Sequence, residues 1–286
     1  MRTRWAWAFV APALLGLVAF TGLPTLGSFA LSFAAWDLLG APRYVGLANY
    51  AGLAGDPLFY QVLAQTCAFA GLYVALDVVL ALGLALALDQ KVRALALFRT
   101  AFFLPVVTSM VAAAILWAWV YDPAHGALNA LLALVGLPAA RWLSDPHLAL
   151  PALVVVSVWK HLGYDMLIFL AGLQAVPTHL LESASLDGAG PWQRFRHVTL
   201  PLLAPTLLLV GVMATIRAFQ TFDSVYLMTE GGPHRTTTLL GFWLFQNAFT
   251  YFKLGKASAI AYVVFALLLG LSALQFALRR RLADAP

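Results

Sequence analysis

Residues 177–201 read PTHLLESASLDGAGPWQRFRHVTLP, a polar island in a chain otherwise built of long apolar runs. The pattern predicts two short helices joined by a glycine elbow. Thr178 is placed to cap the first helix after Pro177, and Leu180, Leu181 and Ala184 share one face. Gly188 and Gly190 supply the conformational freedom that ends a helix, and Pro191 suits the first turn of the next one. The second helix carries Trp192, Phe195 and Val198 on one side, with Arg194 and His197 on the other. Too short and polar to cross a bilayer and too small to hold a core of its own, the segment reads as a surface that another protein grips.

Around this island the 286 residues are 62% hydrophobic and only 10% charged, whereas globular domains carry about 25% charge. The expectation is an all-α integral membrane protein. Apolar runs at about 5–36, 62–88, 98–120, 148–173, 200–222 and 257–278 predict six transmembrane helices, each near the roughly 20 residues a bilayer core requires. The first run exceeds the roughly 7–15 apolar residues of a secretory signal, so it is read as a retained span, kinked by Pro12 and Pro24. Neither a linker nor an internal repeat interrupts the pattern, and residues 1–286 are expected to form a single membrane domain.

The net charge of +5 has no domain-sized basic patch behind it, which argues against a nucleic-acid partner. It is better read as topology. With a cytoplasmic N-terminus, that side holds Arg2, Arg4, Lys91, Arg93, Arg99, Arg194, Arg196, Arg279, Arg280 and Arg281. The opposite side holds only Arg43, Arg141, Arg235, Lys253 and Lys256. The positive-inside rule therefore puts both termini and the 177–201 elbow in the cytoplasm, and the loops at 37–61, 121–147 and 223–256 outside. The lone Cys67 excludes an intrachain disulfide and a multi-cysteine metal site, and no metal, cofactor or catalytic residue is expected.

Charged and polar side chains at membrane depth mark a polar cavity or a pairing, because each costs roughly 2.5–3.5 kcal/mol to insert. Lys160, His161, Asp165, Arg217, Gln220 and Asp223 are candidates for a substrate path, while Asp77 ranks last among these groups. His161 and Asp165 share a face at i, i+4, and Arg217 and Gln220 share one at i, i+3. Such donors and acceptors could hold a polar solute, with Trp159 or Phe219 stacked on an apolar face of it. The alternative is that Asp165 and Lys160 or Arg217 neutralise one another between helices. Asn129, Trp142 and Asp145 in the third loop are read as architectural.

The segment Glu182-Ser-Ala-Ser-Leu-Asp-Gly-Ala-Gly190, followed by Phe195, Thr199-Leu-Pro201 and Pro205, resembles the cytoplasmic loop of binding-protein-dependent ABC transporter permeases. Asn129, Trp142-Leu-Ser-Asp-Pro146, Trp159 and Ala171-Gly-Leu-Gln174 precede it in the order found in sugar permeases of the maltose and glycerol-3-phosphate type. Phe219-Gln-Thr-Phe-Asp223, Met228-Thr-Glu-Gly-Gly-Pro233, Thr237 and Gly255-Lys-Ala-Ser-Ala259 follow it in the same fashion, and Tyr44-Val-Gly-Leu-Ala-Asn-Tyr50 fits as well. The resemblance runs from about residue 9 to 276. Ser183 and Ser185 are small polar substitutes within the loop signature.

The resemblance implies the type I importer permease fold, in a prokaryotic cell inner membrane. It implies a coupling loop at Glu182, Ser183, Ala184, Asp187, Gly188 and Phe195 that seats on a separate ATPase subunit, present in two copies. A second permease subunit in a heterodimer, an extracytoplasmic substrate-binding protein and a carbohydrate substrate complete the expected partners. The residues 229–234 then fall in the region where the binding protein docks. A missing phosphate-binding loop agrees, since Gly255-Lys256 lacks both the preceding glycine and the following hydroxyl residue. The competing readings are a self-sufficient secondary transporter and an intramembrane enzyme using His161 and Asp165. Neither accounts for the elbow.

Overall fold

The computed structural model describes residues 2–90 and 95–283. Lys91 and Arg93 lie outside the described residues, as do the side chains of Arg2, Arg4, Arg279, Arg280 and Arg281 used in the topology argument. Among the described residues the regular structure is helical, apart from one antiparallel ladder of Ala34–Ala35 against Arg43–Tyr44.

Four helices are long and apolar enough to cross a bilayer: Phe9–Leu31, Pro57–Leu88, Ala149–Gln174 and Leu254–Leu278. The remaining two expected spans are broken. Leu95–Val107 meets Met110–Val120 at 99°, and Pro191–Leu202 meets Ala204–Phe219 at 68°. Proline is the common cause. Pro205 has no N–H to offer the carbonyl of Pro201, and the chain bends at Leu203 between them. Pro105 weakens the last turn of its helix, after which Ser109 is extended at φ −63 and ψ 138. An apolar run records composition and not path, so both breaks are invisible to hydropathy.

Two further boundaries differ from expectation. The second long helix starts at Pro57 and not at 62, because the Asp56 Oδ1 accepts a 3.0 Å hydrogen bond from the Leu58 N–H and caps it. In the first helix Pro24 makes no break; the π-helical turn Val18–Gly22 lies just ahead of it, with the Leu23 N–H reaching five residues back to the Val18 carbonyl.

The chain folds into two compact units, one of residues 1–61 and 243–267, the other of residues 62–242 and 268–286. In the first, Asn49 Nδ2 donates to the Ser32 and Ala34 carbonyls at 2.8 and 2.9 Å, and Tyr50 donates to Ser32 Oγ at 2.8 Å. A side chain at Gly255 would strike that Ala34 carbonyl, so only glycine permits the approach. Nearby, Lys256 Nζ donates to Asp56 Oδ2 at 2.9 Å and sits 5.0 Å from the centre of the Trp243 ring.

The second unit is organised on Ala149–Gln174. Small residues let neighbours close on it, as membrane helix contacts require. A Cβ at Gly163 would overlap the Phe102 carbonyl of Leu95–Val107, and one at Gly172 would press on Thr206 and Leu203. Met166, Phe169, Leu170 and Leu173 then pack with Ala81, Ala85 and Val210 in a buried apolar cluster. In the loop after Val120, Asn129 Nδ2 donates to the Pro123 and Ala140 carbonyls, while its Oδ1 accepts from the Ala140 N–H and from Trp142 Nε1. Asp145 Oδ1 accepts from the His147 N–H at 2.7 Å. Asn129, Trp142 and Asp145 are architectural, as the sequence indicated.

Candidate functional site

The elbow forms as its glycines dictate. The first helix spans Thr178–Leu186 and the second begins at Pro191. Pro177, at ψ 122, is the residue before the first helix, so Thr178 opens that helix and does not cap it. Gly188 adopts φ +80. The Ala189 N–H returns to the Ala184 carbonyl at 2.9 Å and the Gly188 N–H to the Ser185 carbonyl at 3.1 Å, the two bonds of a Schellman motif. At the start of the second helix, Gln193 Oε1 accepts the Gly190 N–H at 2.8 Å.

A brace that the sequence did not suggest joins the two arms. Arg194 Nη1 donates to Ser185 Oγ at 2.6 Å, and that hydroxyl donates to the Leu181 carbonyl at 2.8 Å. Glu182, Ser183 and Asp187 are exposed, Ala184 and Phe195 are half-buried, and the Phe195 ring lies 5.5 Å from that of Trp192. Leu186 is 89% and Trp192 68% exposed, so the elbow presents apolar side chains to its surroundings. Ala184, Asp187, Gly188 and Arg194 help to line a groove of about 380 Å³ inside the bend.

The second candidate region is a cavity of about 220 Å³ in the larger unit. Lys160, His161, Arg217, Gln220 and Asp223 all line it, with Ser157 and Thr221 among their neighbours. Five of the six residues expected on a substrate path are thereby brought together. Asp165 is behind them, fully buried.

These charges are not equally available. Lys160 donates to three backbone carbonyls, those of Pro105 at 2.6 Å, Val106 at 3.0 Å and Thr108 at 2.6 Å. It caps the end of Leu95–Val107 where the chain breaks, adding to the Thr108 N–H and hydroxyl that also reach the Pro105 carbonyl. Arg217 donates through Nη2 to Asp165 Oδ2 and through Nε to the Tyr73 hydroxyl at 3.2 Å, with Asp77 Oδ2 3.7 Å from Nη2. His161 turns its Nδ1 to the Ser157 carbonyl at 2.9 Å and its ring edge to Tyr73. His161 and Asp165 therefore share a helix face without pairing.

The aromatic expectations are corrected. Trp159 packs against Trp117 with ring centres 5.6 Å apart, and Phe219 is buried; Phe222 is the aromatic residue at the cavity. Asp77 and Tyr73 were missed or ranked low because nothing local on their own helix announces a partner on another one. The 229–234 turn is tightly held: Thr237 Oγ1 donates to the Gly232 carbonyl at 2.6 Å, and a Cβ at Gly231 would press on Thr238 and Phe242.

Four apolar helices long enough to cross a bilayer, two bent helix pairs and a polar cavity define a helical membrane protein. Over residues 78–284 the chain matches the family described as the binding-protein-dependent transport system inner membrane component, and it belongs to that family. A probable ABC transporter permease protein of Bacillus subtilis is 41% identical over 263 residues, spanning 90% of this chain and 84% of that relative. The trehalose/maltose transport system permease protein of Thermococcus litoralis is 34% identical over 91% of this chain and 88% of its own length. A bacterial ABC transporter involved in the import of the acidic polysaccharide alginate shares the fold, with a TM-score of 0.85 at 22% identity over 99% of this chain and 97% of that one. The chain is thus a multi-pass transport permease and not an enzyme.

Proposed function

We propose that the chain is the membrane-spanning permease of an ATP-driven importer, moving a carbohydrate or related polyol delivered by an extracytoplasmic binding protein. The observation that carries this reading is the Schellman elbow with its exposed Leu186 and Trp192, a braced surface suited to a separate ATPase. Relatives named for trehalose/maltose, lactose and sn-glycerol-3-phosphate transport support the solute class.

In this reading each bent helix pair counts as one crossing, which gives six spans in one permease domain with both termini and the elbow in the cytoplasm. Glu182, Ser183, Ala184, Asp187, Gly188 and Phe195 meet the ATPase, of which two copies serve this chain and a second permease subunit. Lys160, His161, Asp165, Arg217, Gln220 and Asp223 belong to the solute path: His161, Gln220 and Asp223 offer polar groups to hydroxyls, while Lys160 and Asp165 hold the wall in shape. The elbow does not run straight into Ala204–Phe219, because the chain bends by 68° at Leu203. Motion at the elbow reaches that helix through a bent joint.

Copurification in mild detergent from the native membrane tests the reading. An ATPase, a second permease and a carbohydrate-loaded binding protein are expected; recovery of the chain with no ATPase would overturn it. Gly188→Val tests the elbow itself. A β-branched residue at φ +80 is strained by about 1–3 kcal/mol, and we expect normal insertion with lost coupling of ATP hydrolysis to uptake.

A further inference from the structure

Asp77 on Pro57–Leu88, Asp165 on Ala149–Gln174 and Arg217 on Ala204–Phe219 converge where neither carboxyl side chain retains any exposed surface. Arg217 Nη2 donates to Asp165 Oδ2 and stands 3.7 Å from Asp77 Oδ2. Two acids thus face one guanidinium. The other titratable groups that face them are Tyr73, whose hydroxyl accepts from Arg217 Nε at 3.2 Å, and His161, whose Nδ1 is engaged with the Ser157 carbonyl. The Lys160 ammonium is committed to three backbone carbonyls. None of these groups brings a second positive charge to Asp77.

Both Asp77 oxygens and Asp165 Oδ1 lack a hydrogen-bond partner among the described residues, and both carboxyls face the same guanidinium. Groups so deeply buried are almost always satisfied. Two buried carboxylates that share one guanidinium leave a negative charge uncompensated, a costly arrangement in a protein interior that two acids at one site resolve by holding a proton between them. A protonated carboxyl supplies what is missing here, an O–H donor facing an orphan acceptor.

We propose that Asp77 and Asp165 form a buried proton-binding site, in which Asp77 carries the proton and donates it to the Asp165 carboxylate while Asp165 remains ion-paired with Arg217. The network is then neutral, and it ties three helices together directly behind the cavity-lining edge of Arg217. Asp77 acts as a positioning residue: its proton holds Asp165, and Asp165 holds Arg217. The inference rests on the burial and geometry of these side chains and does not depend on which solute is imported.

The test uses the assembled transporter, comparing the unsubstituted complex with Asp77→Asn and Asp165→Asn. Asparagine copies the shape and donor of a protonated aspartic acid, so Asp77→Asn assembles at normal yield, whereas Asp165→Asn leaves Arg217 unpaired and lowers yield and thermal midpoint. In the infrared difference between the unsubstituted complex and Asp77→Asn at neutral pH, the C=O stretch of a protonated carboxylic acid is expected. A difference spectrum with carboxylate bands alone would overturn the proposal, and so would an Asp77→Asn chain that fails to assemble or is as damaged as Asp165→Asn.

Discussion

Lys160 shows how a charge buried among helices can serve the backbone. Its three ammonium protons meet three carbonyls at the end of Leu95–Val107. Lys160→Met removes the ammonium donor from all three, leaving the Pro105 carbonyl only the Thr108 N–H and hydroxyl, and we expect a loss of about 3 kcal/mol, seen as a lowered thermal midpoint of the purified complex. Lys160→Arg restores the charge but not the fit, since a planar guanidinium cannot aim three donors at converging carbonyls, so rescue is partial. Outside the spans, the ion pair and hydrogen bond with Lys256 hold the Asp56 carboxyl below the usual carboxylate range. A lowered value stabilises the fold above the unfolded carboxylate range and ceases to do so as pH falls through the folded value. Asp56→Asn therefore removes a stabilisation that exists at neutral pH and vanishes in acid, under about 1 kcal/mol for a partly exposed pair. Denaturation curves at neutral and acidic pH check it.

The elbow was legible in the sequence because its signals are local: Gly188 ends one helix at φ +80 and Pro191 opens the next. The helix breaks were not, because each falls inside one long apolar run, 98–120 or 200–222, which Thr108-Ser109 and Leu203 do not interrupt in composition. The site was legible in part for a related reason. Periodicity along one helix puts His161 and Asp165 on a common face, and His161 turns to the Ser157 carbonyl one turn back on that helix, but the partner of Asp165, Arg217, is set by packing between helices. The same holds for Ser185, a small polar residue whose meaning appears only when Arg194 reaches it across the bend. Ser185→Ala removes the Arg194 strut while sparing the Schellman bonds, which are made by backbone. We expect assembly to persist and the solute moved per ATP hydrolysed to drop two- to fivefold, corresponding to about 0.5–1 kcal/mol of lost coupling. Uptake and ATPase rates in proteoliposomes decide it.

For the chain in its bilayer, the single native cysteine makes orientation easy to measure. With Cys67→Ser as background, Leu39→Cys and Leu186→Cys introduce thiols at positions 93% and 89% exposed. A membrane-impermeant maleimide added outside intact spheroplasts is expected to label the first and spare the second until the membrane is opened. The reverse pattern would invert the proposed topology. The π-helical turn Phe195–Thr199 bears on the same architecture in another way. A π turn carries one residue more than an α-helix would use, and each residue is about 100° of rotation. The direction in which Trp192 points relative to the membrane helix is thus a matter of counting. Deleting one residue within 195–199 would leave a regular helix of ordinary composition with its contact face turned by more than a quarter of a circle, so the number of residues there aims the contact face while their identities set its chemistry.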